Sequence, residues 1–223
     1  MWAKLPSIID SFNQFPDAQW VWWLDSDAII MSPEVDLSSQ LLSHDALFHC
    51  LEKEMEIRRG SGGGRTEIFT PKNPDVSQID IIVSQDHNGL NAGSFFIRRS
   101  QFTKMLMDLW ADPQFINARW ASQEQEALLR LVLNHKFVRD HVGYVSQRVL
   151  NAYPFSRGWS PGDLVVHFAG CWVDDRCAEQ FDDFWNRRKT VAQVKEERER
   201  EKETEKEREE KEKEEAEKKK AQA

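Results

Sequence analysis

The sequence has few cysteines and lacks a long apolar run. Its three cysteines are too few, and odd in number, to specify a disulfide-stapled scaffold. Cys171 and Cys177 are close enough in sequence to form a disulfide, and buried free thiols are an equally good interpretation. No segment is apolar for long enough to span a bilayer, and no signal-peptide core opens the chain. We therefore expect neither a disulfide-rich module nor a membrane span within this sequence.

Basic residues are fewer than acidic residues. Lys and Arg number 30 against 38 Asp and Glu, which gives a formal net charge of -8 at pH 7. Nucleic-acid binding depends on Lys and Arg side chains that neutralise phosphates, and no basic patch with interleaved aromatic residues is present. The composition therefore excludes nucleic acid as an expected partner. Aromatic residues are abundant instead, with 9 Trp and 13 Phe, and such side chains fill cores and stack on sugar rings.

The composition changes near Val194. Residues 195–223 are almost wholly Glu, Lys and Arg, with opposite charges at i,i+4 spacing and no apolar stripe. This pattern predicts a solvated helical or partly disordered tail without chemistry of its own, and a weak interaction tail is the alternative. Residues 1–194 are long enough to bury a core and are predicted to form one domain.

Apolar strand patterns alternate with amphipathic helix patterns in residues 1–194. This alternation predicts an α/β fold with a largely parallel or mixed sheet. A further segment, residues 58–66, contains the run Gly-Ser-Gly-Gly-Gly and predicts a flexible loop; no Gly-Lys-Ser/Thr follows, so it is not a phosphate loop. Strands are predicted at residues 20–24, 79–83, 93–98 and 163–169, and helices at residues 5–15, 100–110 and 123–133.

Two acidic residues stand at the end of the first predicted strand. Asp25 and Asp27, separated by Ser26, directly follow the apolar run WVWWL. Side chains at i and i+2 of a strand point to one face, so both carboxylates can reach one cation. Mn²⁺ and Mg²⁺ prefer oxygen ligands and bridge carboxylates to a diphosphate. The pair therefore predicts a metal site, and a surface turn with two solvated carboxylates is the alternative.

Three further segments carry candidate site residues. His167 lies in the apolar run VVHFAG and is either a third metal ligand or a buried core histidine. Asn91 lies between two glycines ahead of an apolar strand, which predicts a tight turn, either a plain one or one whose polar groups bind sugar hydroxyls. Glu124 and Gln125 open a helix, where an acid either favours the helix dipole or faces an anomeric carbon.

Together these segments resemble glycosyltransferase family 34, which includes fungal α-galactosyl- and α-mannosyltransferases and plant xyloglucan xylosyltransferases. The resemblance covers residues 2–185, and the combination of segments is specific although no single segment is. The matching segments, in the order of the family, are WVWWLDSDAIIMSP, SQDHNGLNAGSFFIRRSQ, EQEALLRLV, HVGYVSQRVLNAYP and GDLVVHFAGCW.

The resemblance implies a GT-A type fold and a retaining transfer of a hexose. The implied donor is UDP-galactose or GDP-mannose, the implied acceptor is a mannose-containing glycan, and the implied cofactor is Mn²⁺ or Mg²⁺. The metal would be held by Asp25, Asp27 and His167, while Glu124 and Gln125 match the catalytic pair near the anomeric centre, with Glu124 where plant members have Asp. Donor contacts are implied for Asp25, Ser26, Asn91, Gly93, Ser94, Gly170 and Cys171.

Two mechanisms for retention stay open. In front-face attack the leaving diphosphate takes the proton of the acceptor, and the metal offsets charge on the phosphate. In double displacement a carboxylate attacks the sugar, and Glu124 is the candidate nucleophile. Trp120, Trp159 and Trp172 are the candidates for stacking an acceptor sugar.

The sequence departs from the family pattern in two respects. Trp172 stands where plant members have a Lys for phosphate, so phosphate charge must be met by the metal, backbone amides or another basic residue. Family members also carry an N-terminal membrane anchor and a first βα unit that binds the nucleotide base, and the resemblance begins after both. We therefore expect an exposed sheet edge and weak or no activity.

The implied location is the lumenal side of the Golgi membrane, and a non-catalytic subunit of a mannosyltransferase complex is the alternative function.

Overall fold

Two β-sheets organise the fold in the computed structural model, which describes residues 2–60, 64–118, 120–155 and 158–221. The larger sheet has the strand order β1-β4-β3-β5, and the smaller pairs β2 with β6. The strands are β1 (Trp20–Leu24), β2 (Ala28–Ile30), β3 (Ile81–Asp86), β4 (Gly89–Arg98), β5 (Val142–Val145) and β6 (Val165–His167).

The larger sheet is mixed, with more antiparallel pairing than its alternation of strands and helices predicts. Strand β4 runs antiparallel to both β1 and β3, and β3 runs parallel to β5. The reason is that β3 and β4 form a hairpin, which needs only a two-residue connection, whereas a run of helices within residues 101–140 leads from β4 to β5. The α/β class is therefore confirmed, and of the two predicted sheet types, largely parallel or mixed, the chain forms the mixed one.

Helices cover both sheets and explain where the core lies. Helix α1 buries Leu5, Ile8 and Phe12, which recur at helical spacing on one face. Ser100 caps α4 by accepting a hydrogen bond from Thr103 N. The helices are α1 (Lys4–Gln14), α2 (Leu37–Gln40), α3 (His44–Cys50), α4 (Gln101–Trp110), α5 (Pro113–Asn117), α6 (Gln123–Asn134), α7 (Lys136–Asp140), α8 (Gln147–Leu150), α9 (Cys177–Arg187) and α10 (Val191–Ala221), with 3-10 turns at Val76–Gln78 and Cys171–Asp174.

The long, strongly patterned elements match their predictions. Helices α1, α4 and α6 and strand β1 lie within one or two residues of the predicted ranges. Strand β3 begins later than predicted because a 3-10 turn at Val76–Gln78, capped by Asp75, precedes it. Strand β6 is shorter than residues 163–169, because the chain turns away after His167 into the loop that leads to Cys171.

A bulge in β4 replaces the predicted tight turn at Asn91. Asn91 is opposite Ser84 on β3, yet Phe95 is opposite the adjacent residue Val83. Residues 92–94 are therefore unpaired with β3 and bend the strand. The tight-turn prediction is wrong, because the hairpin turn precedes Gly89 and Asn91 lies within β4.

The residues Asp25, Ser26 and Asp27 connect the two sheets. They follow β1 of the larger sheet and precede β2 of the smaller one, in a turn. Both acids therefore lie beyond the end of β1, where the sequence places them, and the alternation of side chains along a strand does not describe their geometry. Their carboxylates converge because the chain changes sheets here, and not because of strand alternation.

The C-terminal helix and the cysteines complete the fold. Helix α10 begins at Val191, before the change in composition, and Arg198 pairs with Glu34 of the body at 3.7 Å.

Cys171 and Cys177 form a disulfide, which decides between the two interpretations left open by the sequence. Among the described residues, no helix is long and apolar enough to cross a membrane. The glycine-rich segment falls partly at residues 61–63, which lie outside the described residues.

Candidate active site

A cleft of about 1010 Å³ opens beside the end of β1, the bulge of β4, the start of α6 and the end of β6. Side chains from these four elements meet there although they are far apart in sequence. The sequence-predicted site residues that line the cleft are Asp25, Ser26, Asp27, Asn91, Gly93, Glu124, Gln125, His167 and Gly170.

Asp25, Asp27 and His167 form a cluster with the chemistry of a metal site. One carboxylate oxygen from each acid and one ring nitrogen of His167 lie within 4.8 Å of one another. Donor atoms that share an octahedral ion at about 2.1 Å are separated by roughly 4.2 Å at most. The three side chains therefore lie close enough to share one ion after changes in their side-chain torsion angles. Two oxygens and one imidazole nitrogen suit Mn²⁺.

The backbone and one side chain fix the imidazole of His167. In strand β6, His167 is paired opposite Ala28, which directly follows Asp27. Its Nδ1 is hydrogen-bonded to Asn151 Oδ1, and since this oxygen only accepts, Nδ1 carries the proton. The other nitrogen, Nε2, then faces Asp27 Oδ1 at 3.3 Å. Nε2 is thus directed at the Asp27 carboxylate, and Asn151 acts as the outer partner that sets the orientation of the ring.

The environment keeps the Asp27 carboxylate ionised. Burial of Asp27 acts to raise its pKa, but the hydrogen bond and charge interaction with His167, together with the backbone and the charge of Lys4, outweigh it. The pKa of Asp27 is therefore held below its ordinary value. An ionised carboxylate is the form that binds a divalent cation.

Gly93 is needed for the close approach of the β4 bulge to His167. A Cβ atom on Gly93 would lie 2.3 Å from Cε1 of the imidazole. This distance is too short for any residue with a side chain at position 93. The Gly93 carbonyl also accepts a hydrogen bond of 2.7 Å from the backbone N–H of Asp25. Gly93 therefore contacts both Asp25, through its carbonyl, and His167, through the close approach of its Cα to the imidazole.

A polar cluster of Asp86, Asn91 and Tyr153 forms another wall of the cleft. The Asn91 amide donates to Asp86 Oδ2 at 2.9 Å and to the Tyr153 hydroxyl at 2.8 Å, while its oxygen accepts from Gly93 N at 2.8 Å. Tyr153 also donates its hydroxyl proton to Asp86. Burial, with the hydrogen bond to Asp86, raises the pKa of Tyr153, so the hydroxyl stays protonated. The side-chain donors of Asn91 and Tyr153 are thus used within the cluster, which fixes these side chains at the cleft surface.

Glu124 and Gln125 reach the same bulge from the start of α6. Gln125 Oε1 accepts a hydrogen bond of 2.7 Å from Ala92 N. Glu124 is only 2% exposed, and its Oε1 forms an ion pair of 2.8 Å with Lys4. Glu124 lies in the first turn of α6, where an acid favours the helix dipole, and its burial and its ion pair show that it also contacts the site.

Two predicted donor-contact residues do not reach the surface of the cleft. Ser94 is fully buried, and its hydroxyl accepts from Trp22 Nε1 at 3.1 Å beneath the site. Cys171 is buried in the disulfide, and its N–H donates to Phe168 O at 2.8 Å. Their donor contacts stay predictions, whereas Gly170, in a left-handed conformation with φ of 82°, does line the cleft.

Sequence reasoning missed four residues that hold the site together. Lys4, Asp86, Asn151 and Tyr153 each bond directly to a predicted site residue. Asp86 ends a buried strand, which is the same signal that singled out Asp25. Lys4 lies on the apolar face of α1 with Ile8, an unusual place for a lysine. Asn151 and Tyr153 carry no local signal.

The fold is similar to that of a glycosyltransferase involved in the glycosylation of the major capsid of PBCV-1. The match has a TM-score of 0.50 at 16% sequence identity and covers 80% of this chain and 74% of that one. At this identity the likeness concerns the fold alone, and it confirms the predicted GT-A type α/β architecture.

Sequence comparison identifies the family. Residues 1–178 match the model of the galactosyl transferase GMA12/MNN10 family, and the chain belongs to this family. An α-1,2-galactosyltransferase of Schizosaccharomyces pombe is 39% identical over 183 residues, which cover 81% of this chain and 49% of the relative. A probable α-1,6-mannosyltransferase, MNN10, of Saccharomyces cerevisiae is 30% identical over 193 residues, covering 76% and 46%. The chain thus spans about half the length of the curated relatives that it matches.

Proposed function

We propose that the chain carries the catalytic centre of a metal-dependent retaining hexosyltransferase. The donor is a nucleotide-sugar, with UDP-galactose first and GDP-mannose second, and the acceptor is a mannose-containing glycan. The observation that carries the proposal is the convergence of Asp25, Asp27 and His167 at the wall of one cleft. The relatives named for galactosyl and mannosyl transfer support this choice of donors.

The charge of the cleft supports a bound cation. Of the described residues that line it, four carry carboxylates, and one, Lys4, carries an ammonium group. An excess of negative charge repels a diphosphate unless a cation lies between them. Mn²⁺ held by Asp25, Asp27 and His167 would offset the charge of the diphosphate as it leaves.

The remaining walls of the cleft suit a sugar. Asn91 and Gly93 lie beside the metal-site candidates, and the side-chain oxygens of Asp86 offer acceptors for hydroxyl groups. Gln125 bonds the Ala92 peptide next to this point, and Glu124 pairs with Lys4, which bonds the same peptide. A carboxylate here stabilises the positive charge that develops at an anomeric carbon.

We propose front-face attack as the mechanism. The acceptor hydroxyl attacks the anomeric carbon on the side from which the diphosphate departs, and the diphosphate takes the hydroxyl proton. Glu124 is a poor nucleophile in this arrangement, because its carboxylate is ion-paired with Lys4 at 2.8 Å. Its contribution is electrostatic stabilisation.

Trp172 is the candidate that we propose for stacking the acceptor sugar. It lines the cleft with 68% of its surface exposed, and Phe155 lines the cleft with 60% exposed. Trp120 instead donates to Phe115 O at 3.0 Å, and Trp159 packs on Phe184. The disulfide beside Trp172 fixes its loop and supports a location in an oxidising lumen, such as that of the Golgi.

The Trp172→Ala variant is expected to raise the KM for the acceptor about fivefold and to leave the KM for the donor unchanged. Loss of one stacked ring costs about 1 kcal/mol of binding energy. Steady-state transfer kinetics with each substrate varied in turn measure both constants. Trp185→Ala is the matched control, because Trp185 is also exposed but stacks on Phe181 in α9. An unchanged acceptor KM would remove Trp172 from the acceptor site.

Calorimetric titration tests the proposed function on the full chain. We expect UDP or UDP-galactose to bind in the presence of Mn²⁺ and at least about tenfold more weakly with a chelator. Transfer from UDP-galactose or GDP-mannose to a mannose-terminated oligosaccharide then identifies the donor. If no nucleotide binds at saturating Mn²⁺, the enzyme proposal is wrong and a non-catalytic subunit is supported.

A further inference from the structure

Lys4 is a buried lysine whose role the predicted chemistry does not include. Its side chain is 3% exposed and lies at the start of α1. Its Nζ donates to Ala92 O at 2.8 Å, pairs with Glu124 Oε1 at 2.8 Å and lies 3.5 Å from Asp25 Oδ1. One ammonium group therefore contacts the bulge of β4, the start of α6 and the end of β1.

A lysine in this cleft could bind the diphosphate, or it could hold other site residues in place. The contacts of Lys4 distinguish these two roles. An ammonium group has three N–H donors, and three acceptors surround this one. Two of these donors are used at 2.8 Å, by Ala92 O and Glu124 Oε1, and the side chain is only 3% exposed, so Lys4 is not presented to a diphosphate and does not replace the phosphate-binding lysine whose position Trp172 occupies. Burial of a lysine is costly unless the charge is paired, and the pairing partners here are both site carboxylates.

Asp25 and Glu124, the two carboxylate partners of Lys4, differ in how far each depends on it. Asp25 Oδ1 is also held by Trp23 Nε1 at 2.6 Å, so its position does not depend on Lys4 alone. Glu124 Oε1 has Lys4 as its ion-pair partner, while Glu124 Oε2 is buried without a hydrogen bond among the described residues. The Ala92 peptide is held on both sides, by Lys4 at its carbonyl and by Gln125 at its N–H.

We propose that Lys4 is a positioning residue that couples Glu124 to the metal site. Glu124 draws the Lys4 charge toward α6, away from Asp25, and so leaves the Asp25 carboxylate to the cation. When Glu124 loses its charge, the ammonium group turns to Asp25 as its remaining carboxylate partner and opposes the metal. The inference rests on the proposed function, because it requires that Asp25 bind a metal.

A double-mutant cycle on Mn²⁺ binding tests the coupling without a need for turnover. Titration calorimetry or Mn²⁺ electron paramagnetic resonance gives the affinity of each full-length variant. We expect Glu124→Gln to weaken Mn²⁺ binding about tenfold, because Lys4 then competes for Asp25. Lys4→Met is expected to bind Mn²⁺ as tightly as the wild-type protein or a few-fold more tightly. In the Lys4→Met background, Glu124→Gln should have less than about a twofold effect.

The design remains decisive if one variant fails to fold. Lys4→Met alone leaves Glu124 buried without its partner and is the least stable variant expected. The double variant removes both charges, so its affinity compared with that of Glu124→Gln alone reports the effect of Lys4, and about tenfold tighter binding is expected. Lys104→Met, at an exposed position of α4, is the control for loss of a positive charge.

The outcomes separate the inference from the function on which it rests. Independent, multiplicative effects of the two substitutions, with tight Mn²⁺ binding by the wild-type protein, overturn the role of Lys4 and leave the proposed function standing. Absence of Mn²⁺ binding by the wild-type protein overturns the proposed function itself. The stability cycle of the same four proteins then still reports whether Lys4 and Glu124 are coupled, which the ion pair predicts.

Discussion

The Asp27→Asn variant is expected to bind Mn²⁺ at least about 100-fold more weakly than the wild-type protein. The substitution keeps the size of the side chain and removes its charge. Asp27 Oδ1 lies 3.3 Å from His167 Nε2, so the change affects two of the three candidate ligands at once. Transfer activity should fall by at least the same factor, because the diphosphate would meet uncompensated carboxylates.

Titration calorimetry with Mn²⁺ measures the loss. The Asp10→Asn variant is a matched control, since Asp10 is an exposed residue of α1 outside the cleft. Thermal unfolding of both variants shows whether the fold is retained. Mn²⁺ binding by Asp27→Asn that equals that of the control would exclude Asp27 from the metal site.

The Gly93→Ala variant is expected to lose Mn²⁺ affinity by at least about tenfold although it changes no ligand. The added methyl group would lie 2.3 Å from His167 Cε1 and 2.9 Å from Nδ1. Either the imidazole or the β4 bulge must move, and the bulge is held by Asp25, whose N–H donates to Gly93 O. Overpacking of this kind costs about 1–3 kcal/mol of folding free energy.

The control for this experiment is Gly64→Ala. A Cβ atom on Gly64 meets nothing within 4 Å, so the same chemical change should leave stability and Mn²⁺ affinity as they are. Urea unfolding gives the change in stability, and calorimetry gives the affinity. If Gly93→Ala keeps full Mn²⁺ affinity, the position of His167 seen here is not the one that binds metal.

The sequence predicts the elements whose signal is local. The run WVWWL and the helical spacing of Leu5, Ile8 and Phe12 each depend on neighbouring residues, and these elements form where expected. The β4 bulge and the change of sheet at Ser26 depend on pairing with distant strands. Such pairing leaves no local pattern, which explains why the tight turn was a wrong prediction and why strand alternation does not account for the convergence of the two acids.

The site residues also fall into those that a sequence motif predicts and those that only tertiary contacts reveal. Asp25, Asp27 and His167 belong to motifs, and the structure brings them together. Lys4 contacts a carbonyl that lies 88 residues away in sequence, and a lone lysine in an amphipathic helix normally faces solvent. Its role follows only from tertiary contacts, as does that of Asn151, which sets the His167 ring from a position 16 residues before it.

Anomalous diffraction from crystals soaked in Mn²⁺ tests the metal site most directly. The account predicts one strong peak in the cleft, about 2.0–2.3 Å from a carboxylate oxygen of Asp25, a carboxylate oxygen of Asp27 and Nε2 of His167. A peak elsewhere, or none at a Mn²⁺ concentration that supports nucleotide binding, would contradict it.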